Sequence, residues 1–231
     1  MDPRIIALYD EYTHRPLPRR VFLRRLAGIA GGSAAAMALL PLLENNRARA
    51  ALVKPNDARL ETGRLEYPGA SGSMRAYHAR PKNAGAKIPA VIVIHENRGL
   101  NAHIEDVARR AALEGFFALA PDALSPLGGT PKDEDAGRAA IGRLDVKQTI
   151  ANLVAAVDYL AARPDVSGKI GCVGFCWGGG MTNQVAAHSP KLAAAAPFYG
   201  PGADARDVPR IKARLLLHYA ERDSWVNPGI A

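Results

Sequence analysis

The sequence predicts an α/β fold, in which a mostly parallel sheet carries helices on both faces. Short apolar runs alternate with segments of helical periodicity along most of the chain. The run Pro89–Ile94 is apolar throughout, as expected of a strand that is covered on both faces. A glycine-rich turn at Gly174–Gly178 joins another apolar run directly to a helix. Strands that alternate with helices favour right-handed crossovers, and these crossovers make successive strands parallel.

The predicted elements follow in chain order. Two short strands, Arg64–Tyr67 and Met74–Ala79, flank a turn at Pro68-Gly69, and we expect them at an antiparallel edge of the sheet. Later strands are predicted at Pro89–Ile94, Phe116–Ala120, Lys169–Phe175, Leu192–Phe198 and Arg214–Tyr219. Helices are predicted at His103–Glu114, Asp145–Ala162 and from Trp177 onward. The remaining stretches, Ser125–Gly137 and Tyr199–Lys212, are predicted to be loops.

Length and charge limit the classes of protein to consider. A chain of 231 residues with 48% hydrophobic content suits one α/β domain plus an extension. The first fifty residues hold eight Lys and Arg against four acids, so they carry half of the net charge of +8. The remainder has no run of basic residues interleaved with aromatic ones. We therefore expect no nucleic-acid partner.

The first fifty residues resemble a twin-arginine export signal. Arg19-Arg20 precede Val-Phe-Leu-Arg, an apolar run covers residues 26–43, and Ala48-Arg49-Ala50 offers a cleavage site. The alternative is a membrane anchor, but the run contains glycines and a proline that weaken a spanning helix. We expect residues 1–50 to be a signal peptide that engages the twin-arginine export machinery. Residues 51–231 would then form the mature domain, periplasmic or secreted, with no stable membrane anchor after cleavage.

The turn around Cys176 has the pattern of a nucleophile elbow with cysteine as the nucleophile. Gly174 and Gly178 flank the cysteine where a side chain would collide with neighbouring backbone. The helix that follows directs its N-terminal N–H groups at the sulfur, which favours a thiolate. The alternative is an inert cysteine in a glycine-rich turn. Cys172 lies four residues earlier in the same strand, too far away for a disulfide, so we predict a core cysteine at 172 and a free thiol at 176.

Four segments of the chain together form a recognisable pattern: Val91–Arg98, Gly115–Asp122, Gly171–Gly179 and His218–Val226. In their order and spacing the chain resembles, from Arg64 to its end, the dienelactone hydrolase family, a cysteine-nucleophile branch of the α/β-hydrolase fold. The resemblance implies a hydrolase of esters or lactones that works through an acyl-enzyme intermediate. It implies no cofactor and no metal, and a small ester or lactone as the substrate.

The resemblance also implies roles for individual residues. Cys176 matches the nucleophile, and Glu96 matches a glutamate that helps to convert the thiol to the thiolate. The backbone N–H groups of Trp177 and Asn97 match the oxyanion hole. Asp223 matches the acid of a catalytic triad. The alternatives are a solvated loop carboxylate for Glu96 and an ordinary turn residue for Asp223.

The triad histidine is where the sequence departs from the family. In this fold the order along the chain is nucleophile, acid, histidine, and no histidine follows Asp223. The α/β-hydrolase fold is therefore expected to lack its final strand and helix, and the chain as given is expected to have little or no hydrolase activity. The rival hypothesis is a catalytically inactive truncated product or a non-catalytic binding protein. Two of the six histidines, His95 and His218, match positions that the family also fills with histidine. All six are poor substitutes for the triad histidine: His14, His78, His95, His103, His188 and His218.

Substrate-binding residues are less well indicated. Enzymes that act on dienelactone bind its carboxylate with arginines, one of them shortly after the segment matching Pro121-Asp122. Here Pro121-Asp122 is followed by Ala-Leu-Ser-Pro, without an arginine. Arg98 and Arg206 are the candidate anion contacts, and the alternative is that both are merely solvated.

Overall fold

The computed structural model describes residues 2–14, 17–43, 51–223 and 225–227. The chain forms two compact units, Met1–Ala51 and Leu52–Ala231. The predicted cleavage site at Ala48-Arg49-Ala50 and the position of Ser224 lie outside the described residues.

The first unit is a set of three short helices: α1 Pro3–His14, α2 Arg19–Ala30 and α3 Ser33–Leu43. The rings of Tyr12 and Phe22 stack with their centroids 4.3 Å apart, inside an apolar cluster that all three helices share. Gly31, at φ 84°, ends α2 and splits the apolar run between α2 and α3. In the portion of the chain that is described, no helix has both the length and the hydrophobicity to span a bilayer.

The second unit is built on a seven-stranded mixed sheet. Its strands are β1 Leu60–Gly69, β2 Gly72–Pro81, β3 Ile88–Ile94, β4 Phe117–Pro121, β5 Val166–Phe175, β6 Ala194–Phe198 and β7 Arg214–Leu215. They lie in the order β1-β2-β4-β3-β5-β6-β7 across the sheet. The pairings β1/β2 and β2/β4 are antiparallel, and the others are parallel. The structure thus confirms the predicted antiparallel edge and the parallel remainder.

Helices cover both faces of this sheet, as predicted. The helices of this unit are α4 Ala102–Leu113, α5 Glu134–Ile141, α6 Val146–Ala162 and α7 Trp177–His188. One face of the sheet packs against α6 and α7, where Ile92 lies with Leu153 and Val185. The other face packs against α4, where Val93 lies with Ile104. Neighbouring residues of β3 point to opposite faces, which explains why this strand is apolar throughout.

A buried cluster on α4 holds the beginning of this unit. The carboxylate of Asp106 accepts the N–H of Val53 at 2.9 Å, and the guanidinium of Arg109 donates to the Val53 carbonyl at 2.9 Å. Arg109 also donates to the hydroxyl of Tyr77 at 3.1 Å, and both charged side chains are buried. The cluster therefore fixes both backbone polar groups of Val53 at the start of the domain.

Two predictions are wrong by more than a shift of a few residues at the end of an element. The end of the predicted loop Ser125–Gly137 belongs to α5, whose N-cap Asp133 accepts the N–H of Ala136 at 2.7 Å. Gly137 suggested a loop, but the helix needs glycine there because a Cβ would lie 2.6 Å from the Arg98 carbonyl oxygen. The predicted strand Arg214–Tyr219 is shorter, because its regular ladder covers only β7 and continues as a single bridge from His218 to Phe198.

Candidate active site

Cys176 is the one residue between the end of β5 and the start of α7, and its backbone has φ 55° and ψ −119°. Among the described residues other than glycine, only Cys176 and Tyr199 have a positive φ. Such a conformation costs on the order of 1–3 kcal/mol and persists only where the surrounding structure imposes it. It is the geometry of a nucleophile elbow, and it raises the side chain above the carboxyl end of the sheet.

Close backbone packing imposes this turn. A Cβ on Gly174 would lie 2.5 Å from the Thr182 hydroxyl and collide with the carbonyl oxygen of Gly178. A Cβ on Gly178 would lie 2.6 Å from the carbonyl oxygen of Ile94 and collide with that of His95. The two glycines identified in the sequence are therefore required for the reason predicted.

Both sides of the elbow are held by hydrogen bonds. The N–H of Cys176 donates to the Phe198 carbonyl at 3.0 Å, and the first hydrogen bond of α7 joins Gly180 N–H to the Cys176 carbonyl at 3.1 Å. The N–H groups of the three residues between them belong to the first turn of α7, where the helix dipole is positive. The thiol is half-buried and forms no disulfide.

Cys172 is a core residue, as predicted. Its sulfur is buried in the cluster beneath α7 and lies 3.5 Å from the Thr182 hydroxyl. Burial raises the pKa of this thiol to about 12. Cys172 is therefore protonated at neutral pH and has none of the properties of a nucleophile.

Glu96 and Asn97 follow β3, the strand beside β5. The parallel ladder pairs Ile94 with Gly174, so Glu96 and Cys176 each lie two residues beyond the last paired position. Glu96 is buried and Asn97 is half-buried. The register thus brings the predicted thiolate-forming carboxylate and the predicted oxyanion donor to the carboxyl end of the sheet, where the predicted nucleophile Cys176 also lies.

His95, which is not among the residues that the sequence assigns to the site, lies fully buried in the same loop. Its Nδ1 lies 2.6 Å from the backbone carbonyl oxygen of Glu96, and its Nε2 accepts the N–H of Ala123 at 3.2 Å. Burial lowers the pKa of this imidazole, against the opposing effects of the Glu96 hydrogen bond and the Asp122 charge. The ring stacks on Trp177 with centroids 5.3 Å apart. Its position directly after an apolar strand is a signal that could have identified it.

Asp122 organises the neighbouring loop after β4. Its carboxylate accepts the N–H of Leu124 at 3.1 Å, the N–H of Thr130 at 2.8 Å and the hydroxyl of Thr130 at 2.7 Å. That hydroxyl in turn accepts the N–H of Leu100 at 2.8 Å. Asp122 therefore ties the loop that contains Ala123 to the loop that contains Glu96.

The two candidate anion-binding arginines lie in different environments. Arg98 is buried and forms an ion pair with Glu134 at the start of α5. Arg206 is almost fully exposed and pairs with Asp204, two residues away, at 2.7 Å. The Arg206 guanidinium lowers the pKa of that carboxyl. Both arginines thus already have a carboxylate partner.

Asp223, the predicted triad acid, is half-buried in the segment that follows the His218 bridge. Its Oδ1 accepts the N–H groups of Trp225 and Val226, both at 2.9 Å. This is an Asx-type turn, which holds the carboxylate in a fixed direction. Across the residues described, no imidazole hydrogen-bonds to this carboxylate, and no group of three His, Cys, Asp or Glu side chains could hold a metal ion.

Comparison with known proteins gives a consistent result. Residues 74–229 match the model of the dienelactone hydrolase family. A candidate carboxymethylenebutenolidase of Escherichia coli strain K12 is 37% identical over 153 residues, which are 64% of this chain and 56% of that protein. A candidate hydrolase fragment of the same strain is 46% identical over 112 residues, which are 48% of this chain and 96% of the fragment.

Solved structures agree with these matches. The crystal structure of a candidate dienelactone hydrolase from Klebsiella pneumoniae superposes with a TM-score of 0.64 at 30% identity, covering 74% of this chain and 77% of that one. The present chain spans little more than half the length of the E. coli carboxymethylenebutenolidase relative. The elbow, the α/β-hydrolase fold and the extent of the family match lead to one conclusion: the chain belongs to the dienelactone hydrolase family.

Proposed function

We propose that the protein hydrolyses carboxylic esters or lactones through an acyl-thioester on Cys176. The observation that carries the proposal is the strained backbone of Cys176 at the turn from β5 to α7. This conformation places a half-buried thiol at the positive end of a helix, where a thiolate is stabilised. The names of the relatives, carboxymethylenebutenolidase and dienelactone hydrolase, favour a lactone as the substrate.

The proposed acylation starts with transfer of the thiol proton to Glu96, the buried carboxylate of the neighbouring loop. The thiolate of Cys176 then attacks the carbonyl carbon, forming an S–C bond as the carbonyl electrons move to oxygen. The N–H groups of Trp177 and Asn97 stabilise this oxyanion. The C–O bond then breaks, and the departing alkoxide takes back the proton that the thiol had given up.

Deacylation needs a base that activates water, and this is the step that Asp223 would support. A fixed carboxylate is suited to orienting an imidazole. Among the described residues, the partners of the Asp223 carboxylate include the N–H groups of Trp225 and Val226. The second candidate is a protein that is acylated on Cys176 without turnover. The two candidates share the acylation step and differ only in the release of the acyl group.

A single experiment tests both candidates. The 231-residue chain is mixed with p-nitrophenyl acetate, and nitrophenol release is followed together with intact mass. We expect a burst of about one nitrophenol per chain and one acetyl group on Cys176. Continued release after the burst indicates a hydrolase, and a burst alone indicates acylation without turnover. Cys176→Ala should abolish the burst, whereas the matched control Cys172→Ala should keep it, and an equal burst in both variants would refute the proposed nucleophile.

We propose separately that residues 1–50 direct the protein through the twin-arginine export route. The support is the pair Arg19-Arg20 ahead of an apolar segment. The chain offers a matched control, because Arg24-Arg25 forms a second pair in the same helix. Replacing Arg19 and Arg20 by lysine should retain the protein in the cytoplasm, whereas the same change at Arg24 and Arg25 should not. Equal export of the two variants, measured by cell fractionation, would refute the proposed route.

A further inference from the structure

The peptide unit between Glu96 and Asn97 has two polar groups with different partners. Its N–H is the proposed oxyanion donor of Asn97. Its C=O, on the Glu96 side, lies 2.6 Å from Nδ1 of His95. A peptide unit is planar, so the direction of its carbonyl determines the direction of its N–H. A hydrogen bond that fixes the carbonyl therefore aims the N–H at the opposite side of the unit.

His95 is suited to act as a fixed donor to this carbonyl. The backbone N–H of Ala123 occupies Nε2, and this assigns the proton of the neutral ring to Nδ1. The side chain is completely buried, so bulk water does not compete for the carbonyl. Asp122 holds the loop of Ala123 through three hydrogen bonds, so the N–H that donates to Nε2 is also fixed in place.

The same ring contacts the other half of the proposed oxyanion hole. The imidazole of His95 stacks on the indole of Trp177, with an interplanar angle of 14°. Trp177, whose N–H is the second proposed donor, is the first residue of α7. One side chain therefore contacts Trp177 directly and the Glu96–Asn97 peptide through its carbonyl oxygen.

We infer that His95 is a positioning residue of the oxyanion hole, which orients the N–H of Asn97 by donating to the carbonyl of the same peptide. The inference rests on the proposed function, because it assumes that an oxyanion forms at this position. His95 acts through the Glu96–Asn97 peptide and is not a proton acceptor for Cys176, since one ring nitrogen carries the proton and the other is occupied.

The hydrogen bond also strengthens the donor. Hydrogen bonding to a carbonyl polarises the amide, and chains of hydrogen bonds reinforce each other in a buried site. Loss of one oxyanion donor costs on the order of 10²–10³-fold in rate. A donor that is present but misdirected should cost part of that, and we expect a loss of roughly 10–100-fold in acylation.

Two amide variants separate the two hydrogen bonds of His95. In His95→Asn, the side-chain amide occupies the place of Nδ1 and can still donate to the Glu96 carbonyl. In His95→Gln, the amide occupies the place of Nε2 and can still accept from Ala123. Each variant keeps one of the two hydrogen bonds, loses the other, and also loses the ring that stacks on Trp177. The two variants are therefore matched for general damage to the core.

Two reactions of Cys176 give the readout. Acylation by p-nitrophenyl acetate passes through an oxyanion, whereas alkylation by iodoacetamide does not. We expect His95→Gln to slow acylation by roughly 10–100-fold relative to alkylation, and His95→Asn to keep the wild-type ratio within about threefold. An equal ratio in the two variants would overturn the inference while leaving the proposed function intact. Absence of acylation in the unmodified chain would overturn both.

A second measurement does not depend on folding of the variants. The chemical shifts of the ring nitrogens of His95, measured by NMR on the unmodified protein, report which nitrogen carries the proton. We expect the neutral ring to be protonated at Nδ1. Protonation at Nε2 would remove the His95 donor from the Glu96 carbonyl, which would then keep only the longer hydrogen bond from the N–H of Gly99 at 3.4 Å, and this would overturn the inference.

Discussion

Gly178→Ala offers a direct test of the close packing that builds the elbow. The new Cβ would lie 2.6 Å from the carbonyl oxygen of Ile94 and collide with that of His95. Both are backbone atoms at the buried end of β3, which cannot move aside as a flexible side chain can. Overpacking of this kind costs about 1–3 kcal/mol or more, and the rigidity of the neighbours places the expected loss near the upper end, at about 3 kcal/mol.

Gly171→Ala, in β5, is the matched control. The nearest heavy atom to a Cβ at this position is the Ala194 carbonyl oxygen at 3.7 Å, an ordinary van der Waals contact. We therefore expect its stability to stay within about 1 kcal/mol of the unmodified protein. For a domain of this size, the loss in Gly178→Ala corresponds to a decrease in Tm of about 6–12 °C.

The measurement is thermal unfolding followed by far-UV circular dichroism, combined with the rate of Cys176 acylation. Because β3 leads directly into Glu96 and Asn97, a shifted β3 end should also slow acylation in Gly178→Ala. Equal values of Tm for the Gly178 and Gly171 variants would refute the packing argument. A lower Tm with unchanged acylation would show that the end of β3 does not position the proposed oxyanion hole.

Two further predictions concern stability. Arg109→Ala should destabilise the domain by about 3–5 kcal/mol, because it leaves Asp106 as a buried charge without the guanidinium that pairs with it. The side chain of Arg110 is exposed, so Arg110→Ala should have little effect in the same denaturant titration. Burial lowers the pKa of His95 below its ordinary value near 6.5, so the unfolded chain binds a proton before the folded one does. The free energy of unfolding should therefore fall as the pH decreases below about 6.5. The variant His95→Asn should weaken this pH dependence. An unchanged slope of the unfolding free energy against pH in the variant would contradict the prediction.

The parallel strands of the sheet and its antiparallel edge could be predicted because their signals are local. Continuous apolar runs identified the buried parallel strands, and the turn at Pro68-Gly69 identified the antiparallel hairpin of β1 and β2. The nucleophile elbow could also be predicted from the sequence, because two glycines that flank a cysteine at the end of a strand are typical of this turn. In each of these regions the residues that determine the structure lie close together in the sequence.

The predictions that failed depend on residues that are distant in the sequence. The α5 helix contains Gly137, which indicates a loop until the Arg98 carbonyl is seen to pack against it. Arg98 stays a candidate anion contact, and the structure adds that α5 brings Glu134 to its guanidinium. The periodicity of the sequence did not reveal α5, because this helix is fixed by its packing against the loop after β3.

His95 shows why motif matching undervalued part of the site. A motif assigns chemistry to side chains, and the side chain of His95 has both ring nitrogens occupied, so it offers no chemistry of its own. Its proposed effect passes through a backbone carbonyl to the N–H on the far side of the same peptide. Residue types do not encode that relation, because it depends on the direction of one peptide plane and on the N–H of Ala123 in another loop. Positioning residues of this kind become recognisable only when the partner of each buried polar atom is known.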